Sequence, residues 1–379
     1  MSGAQKRVLH LHSAFDPGGK ELRSVALINA FGPGLHHTIV SGDAERTGAA
    51  RRIDRTARIT LSPEFPPLRG RPSVARYRRL AEAMRDFDLV LTYNWGAMDA
   101  VMAHTLFAQS MGLPPLIHHE DGFNQDEADG LKVTRNWFRR IGFGRTAALV
   151  VPSRGLRQIA LDAWQQPERR VHRIPNGIDL DAFAMRAKPD ILPSLIKRKN
   201  ECWVGTLAGL RAVKNLPRLV RAFAALPEGW QLVICGEGPE SSAIRQAAKA
   251  AGVEDRVHLP GFAAPEKVVP LFDIFALSSD SEQFPISVVE AMAAGVPVVA
   301  PAVGDIATMV AKENAPFVTP AGDEPALAAA LKTLADSPQL RAEVGEANRR
   351  RARAEYGFAD MAAAYRRLYA RALGLRDLP

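Results

Sequence analysis

Two carboxylates, Glu282 and Glu290, frame the stretch of this 379-residue chain whose residue types most clearly suggest chemistry. In SEQFPISVVEAMAAGVPVVA, Ser281 to Ala300, Glu282 precedes Pro285, and Glu290 lies inside an apolar run that stops at Gly295 and Pro297. Proline fits the first turn of a helix because its missing N–H has no partner there, and glycine with a following proline ends one. The spacing therefore predicts a helix after Pro285, with Glu282 in the preceding loop and Glu290 about one and a half turns inside. The unbonded N–H groups of a first turn favour an anion, as does the helix dipole. A carboxylate beside an anion site suits a ligand that combines phosphates with hydroxyls. A nucleotide sugar is such a ligand: Glu282 would accept hydrogen bonds from the sugar and Glu290 from the ribose. Two solvent-facing acids capping a helix are the competing reading.

A second stretch, VGTLAGLRAVKN, puts Gly205 at a strand end and brings Gly209, Arg211 and Lys214 to the turn before a helix. Charge-assisted contacts to phosphate are stronger than neutral ones, and arginine can grip two oxygens at once. Arg211 and Lys214 could thus neutralise a departing diphosphate. The third, DPGGKELR, sets Gly18 and Gly19 between a strand and a helix, where a ligand can approach bare backbone. Neither stretch is a Walker sequence or GxGxxG, which counts against a dinucleotide fingerprint.

The elements that must hold these residues alternate along the chain. RVLHLHSAF, HHTIVSG, DLVLTYN, PPLIHHE and ALVVPS read as buried strands, separated by helical patterns such as SVARYRRLAEAMRDF and SRGLRQIALDAW. That alternation predicts a parallel sheet covered on both faces. After HRIPNGIDLDAF the pattern breaks into the polar, proline-containing AMRAKPDILPSLIKRKN, which predicts a domain junction near residues 177–200. A second series follows: CWVGTLA, a helix from about Leu216 to Leu226, WQLVICGEG, SAIRQAAKAAG, RVHLPGF, VVPLFDIFALSS, the Glu282 stretch and PVVAP. The expected architecture is α/β, two doubly wound parallel-sheet domains in tandem facing a central cleft, with ligands outside the carboxyl ends of the strands. The expected limits are residues 1–180 and 181–355. Residues 356–379 form a helix that presents Met361, Tyr365, Leu368 and Tyr369 on one side and crosses back to the first domain.

Composition narrows the class. With 47% hydrophobic and 24% charged residues the chain is globular, and it is long enough for two cores. No apolar run reaches the roughly 18 residues that span a bilayer, and MSGAQKRVLHLHSAF lacks the apolar core of a secretory signal, so a cytoplasmic location is expected. Cys202 and Cys235 fall in strand patterns and are expected as core residues, bound to neither metal nor each other. The net charge of +8 is uneven: residues 1–179 hold 25 Lys and Arg against 18 Asp and Glu, the rest 24 against 23. The basic half clusters arginines in PPLRGRPSVARYRRL and in TRNWFRRIGFGR, the latter interleaved with Trp137, Phe138 and Phe143. This predicts a surface that meets phosphates or an anionic membrane. No nucleic-acid partner is expected.

The chain as a whole resembles the retaining glycosyltransferases of family 4, which have the two-domain, Rossmann-like GT-B fold. The most specific match is E-x7-E, Glu282 to Glu290 within SEQFPISVVEAMAAGVPVVAPAVGD; IPNGIDLDAF and VICGEGP add to it. The resemblance implies Glu282 on the donor sugar, Glu290 on the ribose and Lys214 on the diphosphate. Gln283, Phe284, Pro285 and Ile286 would line the donor, Gly18 and Gly19 would lie near the transferred sugar, and the stretch from His258 to Gly261 near the base. Many members carry arginine at the place of Gly209, so Arg211 would substitute for it. Gln283 stands where glycine is frequent. In LIHHEDGF the family's His-Gly pair falls on Asp121-Gly122, and one of His118, His119 and Asp121 would face the acceptor.

The implied reaction retains anomeric configuration and uses no metal and no cofactor, the nucleotide sugar being a substrate. Glu282 and Glu290 would flank sugar and ribose rather than the scissile bond, unlike the carboxylate pair of a double-displacement hydrolase. The expected partners are a nucleotide-sugar donor, a UDP-sugar favoured, and a lipid-linked or other cell-envelope glycan as acceptor. The basic first domain would make peripheral contact with an anionic membrane, on the inner face of the cell membrane. A nucleotide-sugar 2-epimerase of the same architecture and a non-catalytic nucleotide-sugar-binding protein are the alternatives.

Overall fold

The computed structural model describes residues 5–61, 64–123, 127, 130–185, 187–192 and 195–378. Its strands are β1 (Lys6–His12), β2 (Leu35–Ser41), β3 (Arg58–Leu61), β4 (Leu89–Tyr93), β5 (Leu116–His119), β6 (Ala148–Val151), β7 (Val171–Arg173), β8 (Cys202–Leu207), β9 (Trp230–Cys235), β10 (Val257–Gly261), β11 (Ile274–Ala276), β12 (Val298–Pro301) and β13 (Val318–Thr319). The helices are α1 (Gly19–Phe31), α2 (Val74–Met84), α3 (Met98–Met111), α4 (Val133–Gly142), α5 (Arg154–Asp162), α6 (Leu216–Phe223), α7 (Ser241–Ala250), α8 (Pro265–Val268), α9 (Ile286–Ala294), α10 (Ile306–Met309), α11 (Glu324–Asp336), α12 (Pro338–Glu355) and α13 (Phe358–Ala372). Ser73, Ser153, Asp323 and Ser337 cap α2, α5, α11 and α12 by accepting from a backbone N–H of the first turn. The chain divides into two compact units, one running to Pro175 and resuming at Ala359, the other Asn176–Phe358. No helix among the described residues is long and apolar enough to cross a membrane.

In the first unit seven parallel strands run in the order β3-β2-β1-β4-β5-β6-β7. Successive side chains of a strand point to opposite faces. Leu9 and Leu11 of β1, Val90 of β4 and Leu149 and Val151 of β6 join Leu80, Met84 and Val101 of α2 and α3 in one core. The other face is unusual: His10, His12, His37, Tyr93 and His119 are all buried there, covered by Arg23 and Ser24 of α1 and by Tyr365 and Tyr369 of α13. His10 joins His37 (2.9 Å) and the Tyr93 hydroxyl (3.1 Å), and His119 Nε2 meets the Tyr369 hydroxyl at 2.9 Å. His12 lies flat on Tyr93, ring centroids 3.9 Å apart, and neither of its ring nitrogens has a hydrogen-bond partner among the described residues. Burial pushes His37 down to about 4; burial and the nearby Arg23 push His119 down to about 3.

The second unit holds six parallel strands in the order β10-β9-β8-β11-β12-β13. Alternation divides its strands between two cores: Trp203, Phe275, Val298 and Ala300 pack with α9, while Val204, Ile274, Ala276 and Val299 pack with α6 and α11. Cys235 is buried at the end of β9 and Cys202 is half-buried at the start of β8.

One expectation needs correction. Of the aromatic residues in TRNWFRRIGFGR only Trp137 is exposed; Phe143 is fully buried, Phe138 packs against the core, and Arg139 is buried as well. Arg139 donates to both oxygens of Glu127 (3.1 and 3.2 Å) and lies within about 5 Å of the rings of Trp95, Phe123 and Trp164. Neutralised and packed against aromatic faces, a guanidinium can stay inside, which a count of charges along the sequence does not reveal.

Candidate functional site

From the middle of the second unit's sheet, β8-β9-β10 run outward one way and β11-β12-β13 the other. The loops after β8 and β11 therefore flank the point where the strand order reverses, the place where doubly wound sheets bind ligands. Those two loops are tied together. The Ser278 hydroxyl donates to the carbonyls of Lys214 (3.0 Å) and Asn215 (2.9 Å), and Asp280 N–H donates to the Val213 carbonyl (2.9 Å). Arg218 reaches both Asp280 (2.6 Å) and the Ser278 carbonyl (3.1 Å). Asn215, with φ +42°, turns the chain from the Arg211–Lys214 segment into α6.

This lacing brings Lys214 to Glu282. The ammonium donates to Glu282 Oε1 at 2.5 Å, and the Ser279 hydroxyl donates to the same oxygen at 2.8 Å. Both side chains of the pair are mostly covered, at 16% and 10% exposure. The second oxygen, Oε2, is left as an acceptor. From below, Gly304 (φ +57°) packs so closely that an added Cβ would lie 2.4 Å from the Glu282 carbonyl oxygen, and Asp305 N–H donates to the Gln283 carbonyl (3.0 Å). Pro285 caps α9, Ile286 opens it, and Gly295 (φ +73°) closes it. Phe284 turns inward against Tyr356, ring centroids 5.7 Å apart. Glu290, part-buried in α9, has its carboxyl raised to about 7 by burial and by the neighbouring charge of Glu266.

Arg211 is exposed and curls back over Gly209, where an added Cβ would lie 3.5 Å from Arg211 Nε. The glycines of CGEGP explain themselves differently: Gly236 (φ +145°) and Gly238 (φ +153°) lie where a Cβ would strike the carbonyl oxygens of Ala208 and Leu210, at 1.9 and 2.4 Å. They let the loop after β9 press against the Gly209 turn, sealed by Leu210 N–H to the Glu237 carbonyl (2.9 Å). Gly261 is joined to that loop, its carbonyl accepting from Gly236 N–H (2.9 Å). His258 is not; its ring bonds Gln231 Oε1 (2.8 Å), nearer the amino end of β9.

In the first unit the strand order reverses between β1 and β4. Gly18 caps α1 and Gly19 opens it. The segments after β1, β2, β3 and β4 surround a polar cleft of about 640 Å³ that includes Ser13, Arg46, Arg69 and Gly96. Asp121, just past β5, is gripped through both oxygens by Arg23, and its N–H donates to Asn94 Oδ1 (2.8 Å). Burial raises its carboxyl but Arg23 outweighs this, leaving it below the usual range. His118 and His119 are fully covered on opposite sheet faces, His118 bonded to the Thr92 hydroxyl (2.8 Å) and His119 to Tyr369. Asp121, at 15% side-chain exposure, is the least covered of the three. Ser279, Asn215, Gly304 and Arg23 escaped the sequence reading; the polar run SSDSE was the signal available for Ser279.

Residues 7–182 match the family model described as Glycosyltransferase Family 4, and residues 188–351 the one described as Glycosyl transferases group 1. The chain belongs to the family 4 glycosyltransferases. This glycosyltransferase is 27% identical over 329 residues to EpsF of Bacillus subtilis, itself named as a glycosyltransferase, spanning 78% of this chain and 79% of EpsF. It is 27% identical over 218 residues to the alpha-D-kanosaminyltransferase of Streptomyces kanamyceticus and spans about half of that protein, 56%. Among solved structures, HepE of Anabaena in complex with UDP superimposes with a TM-score of 0.79 at 19% identity, over 96% of this chain and all of that one. Sucrose-phosphate synthase of Thermosynechococcus elongatus gives 0.74 at 20%, over 97% and 100%. At such identities the likeness shows the fold, which is GT-B.

Proposed function

We propose that this glycosyltransferase takes its sugar from a UDP-sugar, retains the anomeric configuration, and adds the sugar to a lipid-linked or other cell-envelope glycan without a metal ion. The observation that carries the reading is the Lys214, Glu282 and Ser279 cluster at the strand-order reversal of the second unit. An ammonium has three donors. Glu282 takes one, which leaves two for the diphosphate, while Glu282 Oε2 accepts from a sugar hydroxyl. Arg211, lying over the bare Gly209, supplies the second cation. The acceptor hydroxyl attacks the anomeric carbon from the face the diphosphate leaves; the bond from that carbon to the phosphate oxygen breaks, and a phosphate oxygen takes the hydroxyl proton. Positioning and charge stabilisation supply most of the rate. HepE, solved with UDP and with UDP-glucose, supports uridine as the base, and the basic first half of the chain supports an envelope acceptor.

A thermal-shift panel of UDP, GDP and ADP tests the donor, since a ligand that binds only the native state raises its apparent stability. UDP is expected to give the largest shift, and no shift with any of the three would overturn the reading. NMR of the donor with and without glycan acceptor, in EDTA, is expected to show transfer with retained configuration; an epimerised donor would point to the isomerase instead.

Glu290 offers a sharper prediction. Its carboxyl, raised to about 7, is protonated in the free protein at lower pH, and only the ionised form accepts from both ribose hydroxyls. Raising the pH from about 6 to about 8 is therefore expected to tighten UDP binding, and Glu290→Gln to weaken it about tenfold at the upper end and flatten the profile. Calorimetry decides it: equal affinities in the two proteins would remove Glu290 from the ribose.

A further inference from the structure

Asn94 holds a backbone conformation that other residues avoid. Just past β4, its φ of +52° and ψ of −173° fall in a region kept almost wholly for glycine. Such strain persists only where the surroundings fix it, and it gathers at ligand sites. Two hydrogen bonds fix it here: Asn94 N–H donates to the His119 carbonyl (2.8 Å), and Asn94 Oδ1 accepts from Asp121 N–H (2.8 Å). A glycine would take this backbone without strain but has no Oδ1 to offer, so what the strained residue adds is its hold on Asp121.

Asp121 is thus held from two sides. Arg23 of α1 grips both its oxygens and lies over the Tyr365 ring of α13 at 5.8 Å. An ionised carboxylate has about four acceptor sites. Arg23 occupies one on each oxygen, and the side chain, 15% exposed just past β5, keeps the rest for a ligand. The chain beyond Asn94 leads into the polar cleft of the same unit, where Gly96 lies among Ser13, Asp43, Glu45 and Arg69. Hydroxyl, carboxylates and guanidinium together suit a sugar, whose hydroxyls both donate and accept. We propose that Asn94 and Arg23 are positioning residues that aim Asp121 at a hydroxyl of the acceptor glycan next to the one that attacks, and so orient the acceptor ring. The attacking hydroxyl keeps its own proton for the phosphate oxygen. This role rests on the glycan acceptor proposed above.

The full chain is given UDP-glucose, UDP-galactose or UDP-N-acetylglucosamine with octyl glucoside, octyl galactoside or octyl mannoside as acceptor. Water competes as an acceptor with no second hydroxyl to hold, so the ratio of transfer to hydrolysis reads how the acceptor ring is oriented. Asn94→Gly is expected to lower that ratio about tenfold, with UDP affinity by calorimetry and melting temperature near the parent's. On an Asp121→Asn background the same change is expected to lower it less than about twofold, because Asn94 acts through Asp121. Arg23→Gln is expected to bring a pH dependence. Burial, the largest influence on the Asp121 carboxyl, then raises it with only Lys20, Tyr93, His119 and Tyr365 facing it, so the ratio climbs from about pH 6 to about pH 9. Arg23→Lys restores the charge and a flat profile but, lacking the fork, only part of the ratio. A parent that releases no UDP from any of the donors overturns the transferase reading and this role with it. The role alone falls if the parent hydrolyses donor yet glycosylates none of the octyl sugars, if Asn94→Gly keeps the parent's ratio, if its loss is undiminished on the Asp121→Asn background, or if a folded Arg23→Gln gives a flat profile.

Discussion

Lys214→Ala is expected to lower kcat about 10²-fold at saturating donor, the loss usual for one preorganised donor aimed at developing charge. The lysine is placed by its neighbours: Asn215 turns the chain, Ser278 holds the carbonyls of residues 214 and 215, and Glu282 and the Ser279 hydroxyl fix the charged end. None of the groups that hold the loop uses the ammonium, so the variant keeps its fold and loses the charge. Lys214→Arg restores the charge with a planar fork in place of a compact ammonium and is expected to recover only part of the rate. Because Lys214 and Glu282 act as a pair, the loss in Lys214→Ala combined with Glu282→Gln is expected to fall well short of the product of the single losses. Steady-state kinetics read all of this, and an unchanged kcat in Lys214→Ala would end the leaving-group role.

The second large effect is on stability in acid. The folded first unit holds His10, His12, His37 and His119 uncharged inside, whereas the unfolded chain protonates them below about 6.5. Stability present above that pH is therefore lost as the pH falls, His37's share down to about 4 and His119's to about 3. For His37 alone the full loss is about 3 kcal/mol. His12→Phe separates this from general acid damage. The ring stacks on Tyr93 and meets Phe15 at a tilt, and no described residue bonds either nitrogen, so a hydrocarbon ring of similar shape removes the cost of burying two unbonded polar atoms. The variant is expected to gain about 1–3 kcal/mol near neutrality and to show a shallower acid limb. Urea midpoints against pH, followed by tryptophan fluorescence, would show it; a variant less stable than the parent at every pH would contradict it.

Ten of the strands were legible because each is a short β-rich run, whereas β3, β7 and β13, short strands at the sheet edges, carried no such run; Pro285 and Gly295 gave the limits of α9 from local rules alone. The Glu282 and Lys214 stretches were legible as chemistry because charge and glycine sat at strand ends. That they meet was not: residues 214 and 282 come together only because β8 and β11 are neighbours, a fact of strand order that no local pattern encodes. Gly304 looked like any loop glycine until the Glu282 carbonyl was found pressed against it. The basic stretch misled for the opposite reason. Spacing along α4 was read as charge alternating with aromatics on one surface, whereas Glu127 draws Arg139 inward and leaves Trp137 outside.

The first unit is written in two instalments. Its histidine-bearing sheet face is closed by Tyr365 and Tyr369, which leave the ribosome after every residue of the second unit has been made. A nascent chain can therefore finish the later-encoded unit from contiguous sequence while the earlier one waits, its polar interior open to water. A stop at residue 358 would delete no strand of either sheet, yet would leave the amino-terminal half without its lid and exposed to proteases and chaperones.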